Sequence, residues 1–292
     1  MNLVLIASAL AQPSVGPKVS LRTGTKPKLI ARFDNDTLYL RAWDTRGEPI
    51  TTLDSSDLLI TIGNDTADII RFEPVRTLSA EDLAISFVLD NSGSMFHAYD
   101  SLTNYLDRFL DSLGAGAILS AMTFDNTDRD PTYDATGRQQ LFLASRPFTT
   151  ERARISDFWH FYDSIRSGYT PLFDAMWKSF EHIAERRRSG DSLRSDVLVV
   201  VTDGEDNCST ISGNHLAELA AAMHVSIYVV NFRSDPQWRM IWLVNHAGGR
   251  TFTAETLGGL RSVLAGIRRS LVSGYRVVFG LPFSGAGGFR RY

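Results

Sequence analysis

The chain has a single cysteine, Cys208, so no disulfide can form within it and a disulfide-stapled fold is excluded. Charge of one sign is also scarce. A net charge of −3 over 292 residues gives no electrostatic reason to expect nucleic acid or an anionic membrane as a partner. The six histidines, His97, His160, His182, His215, His224 and His246, show no H-E-x-x-H pattern and no paired zinc spacing, so each reads as an ordinary surface or core residue. There is no G-x-S-x-G elbow, no P-loop and no G-x-G-x-x-G opening a helix; Gly285, Gly287 and Gly288 lie in the tail with no helix after them. No apolar run, that of the first dozen residues included, is long enough to cross a bilayer as a helix.

What is present is ordinary for a soluble globular protein: 43% hydrophobic and 22% charged residues. The length accommodates one large core and a small companion domain. Residues 1–11 are apolar and end in Ala9-Leu10-Ala11, matching a signal peptide's core and small-x-small cleavage site, although the usual preceding positive charge is missing. Export to the periplasm, cell envelope or medium is the expectation, with the cytoplasm as the other address. Residues 12–35 are rich in Pro, Gly, Lys and Thr and read as a linker. From 36 to 78, alternating runs such as Leu38, Leu40 and Ala42 against Tyr39, Arg41 and Trp43, broken by turns, read as a small β module.

From 79 to 281 strand and helix alternate, which points to an α/β doubly wound sheet. Helices are expected over 155–165, 172–184, 215–223, 238–246 and 257–271, and a final strand over 275–279, leaving 282–292 as a tail. Residues 117–124 and 139–144 read as a hairpin. Asp125, Asp128, Asp130 and Asp134 lie between them without the glycine and terminal glutamate of a calcium loop, so they read as its solvated tip. Arg186, Arg187 and Arg188 close a helix, where cations favour the negative end of the dipole, and read as a solvated terminus.

The chemistry concentrates in three loops. The buried strand 85–89 runs into Asp90-Asn91-Ser92-Gly93-Ser94-Met95, where side chains two apart can aim one carboxylate and two hydroxyls at a common point. Gly168-Tyr169-Thr170-Pro171 feeds a helix, with Thr170 suited to cap it and Pro171 to open it. The buried strand 197–201 ends in Thr202-Asp203-Gly204-Glu205-Asp206-Asn207. Asp90 at a strand's carboxyl end also competes for a second role, as a cap on the helix that follows.

Together these motifs resemble the von Willebrand factor type A domain and its metal-ion-dependent adhesion site, over residues 81–281. The resemblance implies a Rossmann-like, mostly parallel sheet with one antiparallel edge strand. It implies one ion held by Asp90, Ser92, Ser94, Thr170 and Asp203. Residues 47–72 resemble the β region that precedes this domain in a family of bacterial exported proteins. Oxygen donors without sulfur or imidazole suit a hard cation, Mg²⁺ first, with Mn²⁺ or Ca²⁺ as substitutes. Two carboxylates and three hydroxyls balance the ion's charge and leave a position for water. A partner protein's acidic side chain is expected to replace that water. Ser92 and Ser94 are expected as direct ligands, Thr170 as a direct or water-bridged one, and Asp90 and Asp203 as anchors acting partly through water. Phe96, Tyr169 and Glu205 are candidates for partner contact, and Asp206 and Asn207 lie beside the ion. The expected function is metal-dependent protein binding without catalysis; the alternatives are a Mg²⁺-dependent hydrolase at the same site or a cytoplasmic adaptor for an ATPase motor.

Overall fold

The structure, a computed structural model, describes residues 17–22, 28–34, 36–44, 49–62, 65–75, 83–95, 98–125, 142–161, 170–191, 194–204, 206–271, 273–282 and 289–290. The expected signal peptide at 1–11, most of the aspartate-rich hairpin tip, and Phe96, Tyr169 and Glu205 lie outside the described residues. The chain divides into two units, Met1–Leu78 with Arg268–Tyr292, and Ser79–Ile267.

The first unit contains β1 (Pro17–Leu21), β2 (Lys28–Asp34), β3 (Thr37–Trp43), β4 (Leu58–Ile62), β5 (Asp65–Thr66) and β6 (Asp68–Val75), and from far along the chain β13 (Gly274–Pro282) and β14 (Phe289–Arg290). All their pairings are antiparallel: β1-β4-β5 form one sheet, and β14-β13-β3-β2, with β6 also on β13, form another. Leu38 and Leu40 from β3, Leu58 and Ile60 from β4, and Tyr275, Val277 and Phe279 from β13 share one core. The Tyr275 hydroxyl donates to the Ile50 carbonyl and accepts from the Leu53 amide, both at 2.9 Å, so the buried ring keeps its polar tip satisfied.

The stretch 12–35 is not simply a linker, because β1 and β2 lie within it; Val19, Leu21, Leu29 and Ala31 recur every second residue and pack on the core beneath a Lys- and Pro-rich composition. The last strand does not join the α/β sheet. Tyr275, Val277 and Phe279 alternate toward the β core, so the module is built from both ends of the chain.

The second unit runs β7 (Leu83–Asp90), α1 (Tyr99–Ser112), β8 (Ile118–Asp125), β9 (Phe142–Thr149), α2 (Arg152–Phe161), α3 (Leu172–Arg188), β10 (Ser195–Thr202), α4 (Gly213–Ala222), β11 (Ser226–Phe232), α5 (Trp238–Ala247), β12 (Gly249–Ala254) and α6 (Leu257–Leu271), within which the division of the chain falls. The sheet order is β12-β11-β10-β7-β8-β9, parallel throughout except that β9 runs antiparallel to β8 at one edge. β7 and β11 are buried along their whole length, as strands covered on both faces must be, and both are near-continuous apolar runs. From β7 the chain moves outward through β8 and β9, then returns to the other side of β7 as β10 and continues to β11 and β12. The order therefore reverses between β7 and β10, and such a switch point opens a crevice beyond the strands' carboxyl ends.

The arginine run at the end of α3 is not a solvated terminus. Arg186 is buried and donates to Asp196 Oδ1 at 2.7 Å, while Arg187 Nε donates to Asp196 Oδ2 at 2.8 Å; Asp196, at the start of β10, is buried as well. A buried carboxylate with two hydrogen-bonding guanidinium groups is the arrangement that tolerates the loss of water. Only Arg188 remains exposed.

Candidate metal centre

β7 and β10 pair in register with Leu89 opposite Val201, so the next residues, Asp90 and Thr202, leave the sheet side by side at the switch point. Asp90 is completely buried. Its Oδ1 accepts from the Ser92 amide at 2.8 Å, closing a tight turn, and its Oδ2 accepts from the Thr202 hydroxyl at 2.5 Å. The carboxylate thus caps its own loop rather than the following helix: α1 begins after Ala98, without a side-chain cap. Ser92 and Ser94 follow with hydroxyl oxygens 3.1 Å apart, and Ser94 Oγ donates to Asp203 Oδ1 at 2.8 Å.

Gly204 connects the remaining residue to this group. A Cβ placed there would stand 3.7 Å from Thr170 Oγ1 and 4.0 Å from Asp90 Oδ2, so both oxygens face its bare α-carbon. Thr170 is buried and does not cap α3; the cap position belongs to Pro171. All five residues expected at one point are therefore brought to the crevice. Ser94 is the exposed member and Asp203 is half-buried, which leaves an open side beyond them.

Burial pushes the Asp90 carboxyl up to about 6, against the opposing hydrogen bonds from Thr202 and Ser92, and the neighbouring Asp203 charge adds to the rise. Burial also raises Asp203, with the Ser94 hydrogen bond and the Arg233 charge working against it. Among the described residues no lysine or arginine forms an ion pair with Asp90. Buried carboxylates are normally paired or bound to a metal, and here the remaining oxygens are hydroxyls and a second carboxylate. The donor set fits a hard divalent cation, with Asp90, Ser92, Ser94, Thr170 and Asp203 as the residues that would hold it. Among the described residues no group of three or more His, Cys, Asp or Glu could hold an ion, here or elsewhere, so this set depends on hydroxyl oxygens beside its two carboxylates.

Sequence reasoning gave no role to Thr202, whose buried hydroxyl donates to Asp90 and accepts from the Gly204 amide at 3.1 Å. Asp206 and Asn207, expected beside the ion, direct their side-chain oxygens to backbone amides of Phe173 and Thr170 at 3.1 and 2.8 Å. The signal for Thr202 was in the sequence: a hydroxyl residue ending an otherwise aliphatic strand beside an acid.

The family model for the von Willebrand factor type A domain matches residues 84–264. None of the curated proteins matches the chain. Among solved structures, proximal thread matrix protein 1 from the mussel byssus, with a zinc-occupied MIDAS motif, aligns with a TM-score of 0.54 at 16% identity, covering 72% of this chain and 50% of that one. A further structure of that protein gives a TM-score of 0.52 at 17% identity over 72% and 51%. This chain thus spans about half the length of that relative. The pilus adhesin SpaC from Lactobacillus rhamnosus GG, in an open conformation, aligns with a TM-score of 0.48 at 11% identity over 90% of this chain and 36% of that one. At such identities the likeness to the mussel protein concerns the fold.

Proposed function

Since the chain belongs to the von Willebrand factor type A domain family, we propose that it is a divalent-cation-dependent protein-binding module, without catalytic activity, that takes an acidic side chain of a partner protein. The observation that carries this reading is Asp90: a fully buried carboxylate, with no basic partner among the described residues, facing hydroxyls and a second carboxylate at a topological switch point. The zinc-occupied site of the mussel protein supports a divalent ion in this fold. The all-oxygen donor set favours Mg²⁺ over softer ions.

When bound, the ion supplies a positive centre with a coordination position for an external carboxylate oxygen. The chain's own residues do the rest. Thr202 and the Ser92 amide fix both oxygens of Asp90, and Ser94 holds the Asp203 carboxylate in place. The exposed Ser94 and half-buried Asp203 keep one side of the site open to a partner. No histidine or lysine stands among these residues to serve as a general base, which favours binding over hydrolysis. Export is part of the proposal, carried by the apolar start of the sequence; mass spectrometry of the mature amino end tests it, with a start at Gln12 expected and a retained Met1 against it.

The deciding experiment is capture of partners from the source cell's envelope with Mg²⁺, with excess chelator, and with Asp203→Ala. Capture that depends on Mg²⁺ and disappears in the variant is expected. Undiminished capture in chelator or in Asp203→Ala overturns the proposal, as does phosphatase or esterase turnover that is lost in Ser94→Ala.

A further inference from the structure

A helix begins with four backbone N–H groups that its own carbonyls cannot reach. In α3 the cap residue Pro171 has no side-chain bond to offer them. The help comes from the loop that follows β10. Phe173 N donates to Asp206 Oδ1 at 3.1 Å and Asp174 N donates to Ser209 Oγ at 3.0 Å, while the Ser209 hydroxyl itself donates to Asp206. Bonds also run in the other direction. The Asp174 carboxylate, 8% exposed, accepts from the amides of Thr210 and Ile211, each at 2.9 Å. Upstream of the helix, Thr170 N donates to Asn207 Oδ1 at 2.8 Å and Asn207 N donates to Thr170 O at 3.2 Å.

We propose that Asn207 and Asp174 are positioning residues that fasten the Thr170 loop to the Asp203 loop, so that the Thr170 hydroxyl is already in place before cation or partner arrives. The inference rests on the cation-binding reading above and deepens it. Thr170 is bound through both its amide and its carbonyl to one residue, Asn207, four positions beyond Asp203. Because an amide N–H can only donate, the group of Asn207 that meets it must be the carbonyl oxygen, so the contact has one polarity. A shift of Thr170 away from Asp203 would break this pair. It would also strip the first turn of α3 of its only side-chain acceptors among the described residues, Asp206 and Ser209. Thr170 and Asp203 therefore behave as one body, and the site takes up its ion without a rearrangement between these two donors.

Two measurements test this. Calorimetric titration with Mg²⁺ is run on the wild type, Asn207→Ala and Asn207→Asp. Loss of the acceptor in Asn207→Ala is expected to weaken Mg²⁺ binding by about tenfold, the lower end of the range for residues that orient metal ligands. Asn207→Asp keeps an acceptor for the Thr170 amide and should bind as tightly as wild type or tighter. Equal affinity in all three proteins overturns the proposal. The second measurement, amide hydrogen exchange of the wild type in excess chelator, needs no variant and no ion. Thr170, Phe173 and Asp174 are expected to exchange as slowly as they do with Mg²⁺; fast exchange that slows only when Mg²⁺ is added overturns the fastening. Slow exchange in a protein that takes up no Mg²⁺ would uphold the fastening while refuting the cation reading, so the two ideas fail separately.

Discussion

Asp90 is the residue on which the electrostatics of the site turn. Its carboxyl, raised by burial to about 6 in the folded chain, returns to about 3.8 when the chain unfolds. Between those two values the unfolded form has released its proton and the folded form has not. Without a cation, stability therefore falls as pH rises through this window, by about 3 kcal/mol in all. A bound divalent ion compensates the carboxylate and removes the loss. Melting curves in chelator should drop between pH 4 and pH 6 more steeply for wild type than for Asp90→Asn, and at pH 7 Mg²⁺ should raise the melting temperature of the wild type but not of the variant. A melting curve for Asp90→Asn that matches wild type in both conditions would remove Asp90 from this role. At this scale the meeting of Asp90, Ser92, Ser94, Thr170 and Asp203 was expected from the resemblance of three loops to one family's motifs, since turn chemistry alone marks each loop without joining them; the structure brings them to one crevice. Asn207 and Asp174 were not assigned their roles because their partners are backbone amides more than thirty positions away, which leave no spacing to read.

At the scale of the element, most helices and strands announced themselves through apolar spacing, and α6 fell on the expected residues. The arginines closing α3 misled, since three basic residues at a helix end look the same whether water or a buried acid receives them. The deciding residue, Asp196, starts the next strand and carries no mark of its burial. Removing it takes from Arg186 its buried carboxylate partner and leaves only the more exposed Asp191, at 3.1 Å. Asp196→Ala should cost about 3 to 5 kcal/mol, read as a lowered midpoint in urea, whereas Arg188→Ala at the exposed end of the same run should stay within about 0.5 kcal/mol. Equal effects of the two substitutions would contradict the buried pairing.

For the whole molecule, the informative feature is connectivity: the α/β unit is inserted between β6 and β13 of the β unit. Sequence reading placed a β module ahead of the α/β domain but gave its closing strand to the wrong partner, because an apolar strand after a helix satisfies either sheet equally well until its neighbours are known. Truncation after Leu271 should remove Tyr275, Val277 and Phe279 from the β core. At about 1.5 to 3 kcal/mol for each buried side chain, the loss is comparable to the whole stability of a small domain. Calorimetry should then show the melting of the β unit abolished while that of the α/β unit persists; retention of both transitions would argue against the shared core.

The pairing of β13 with β6 also has a consequence in the living cell. On the ribosome, Val75 is made about 200 residues before Gly274, its neighbour across the sheet. At about 5 to 20 residues per second, that is a delay of roughly 10 to 40 seconds. Throughout that interval the edges of β3 and β6 that β13 will cover stay unpaired, the condition under which an unfinished chain is prone to aggregate.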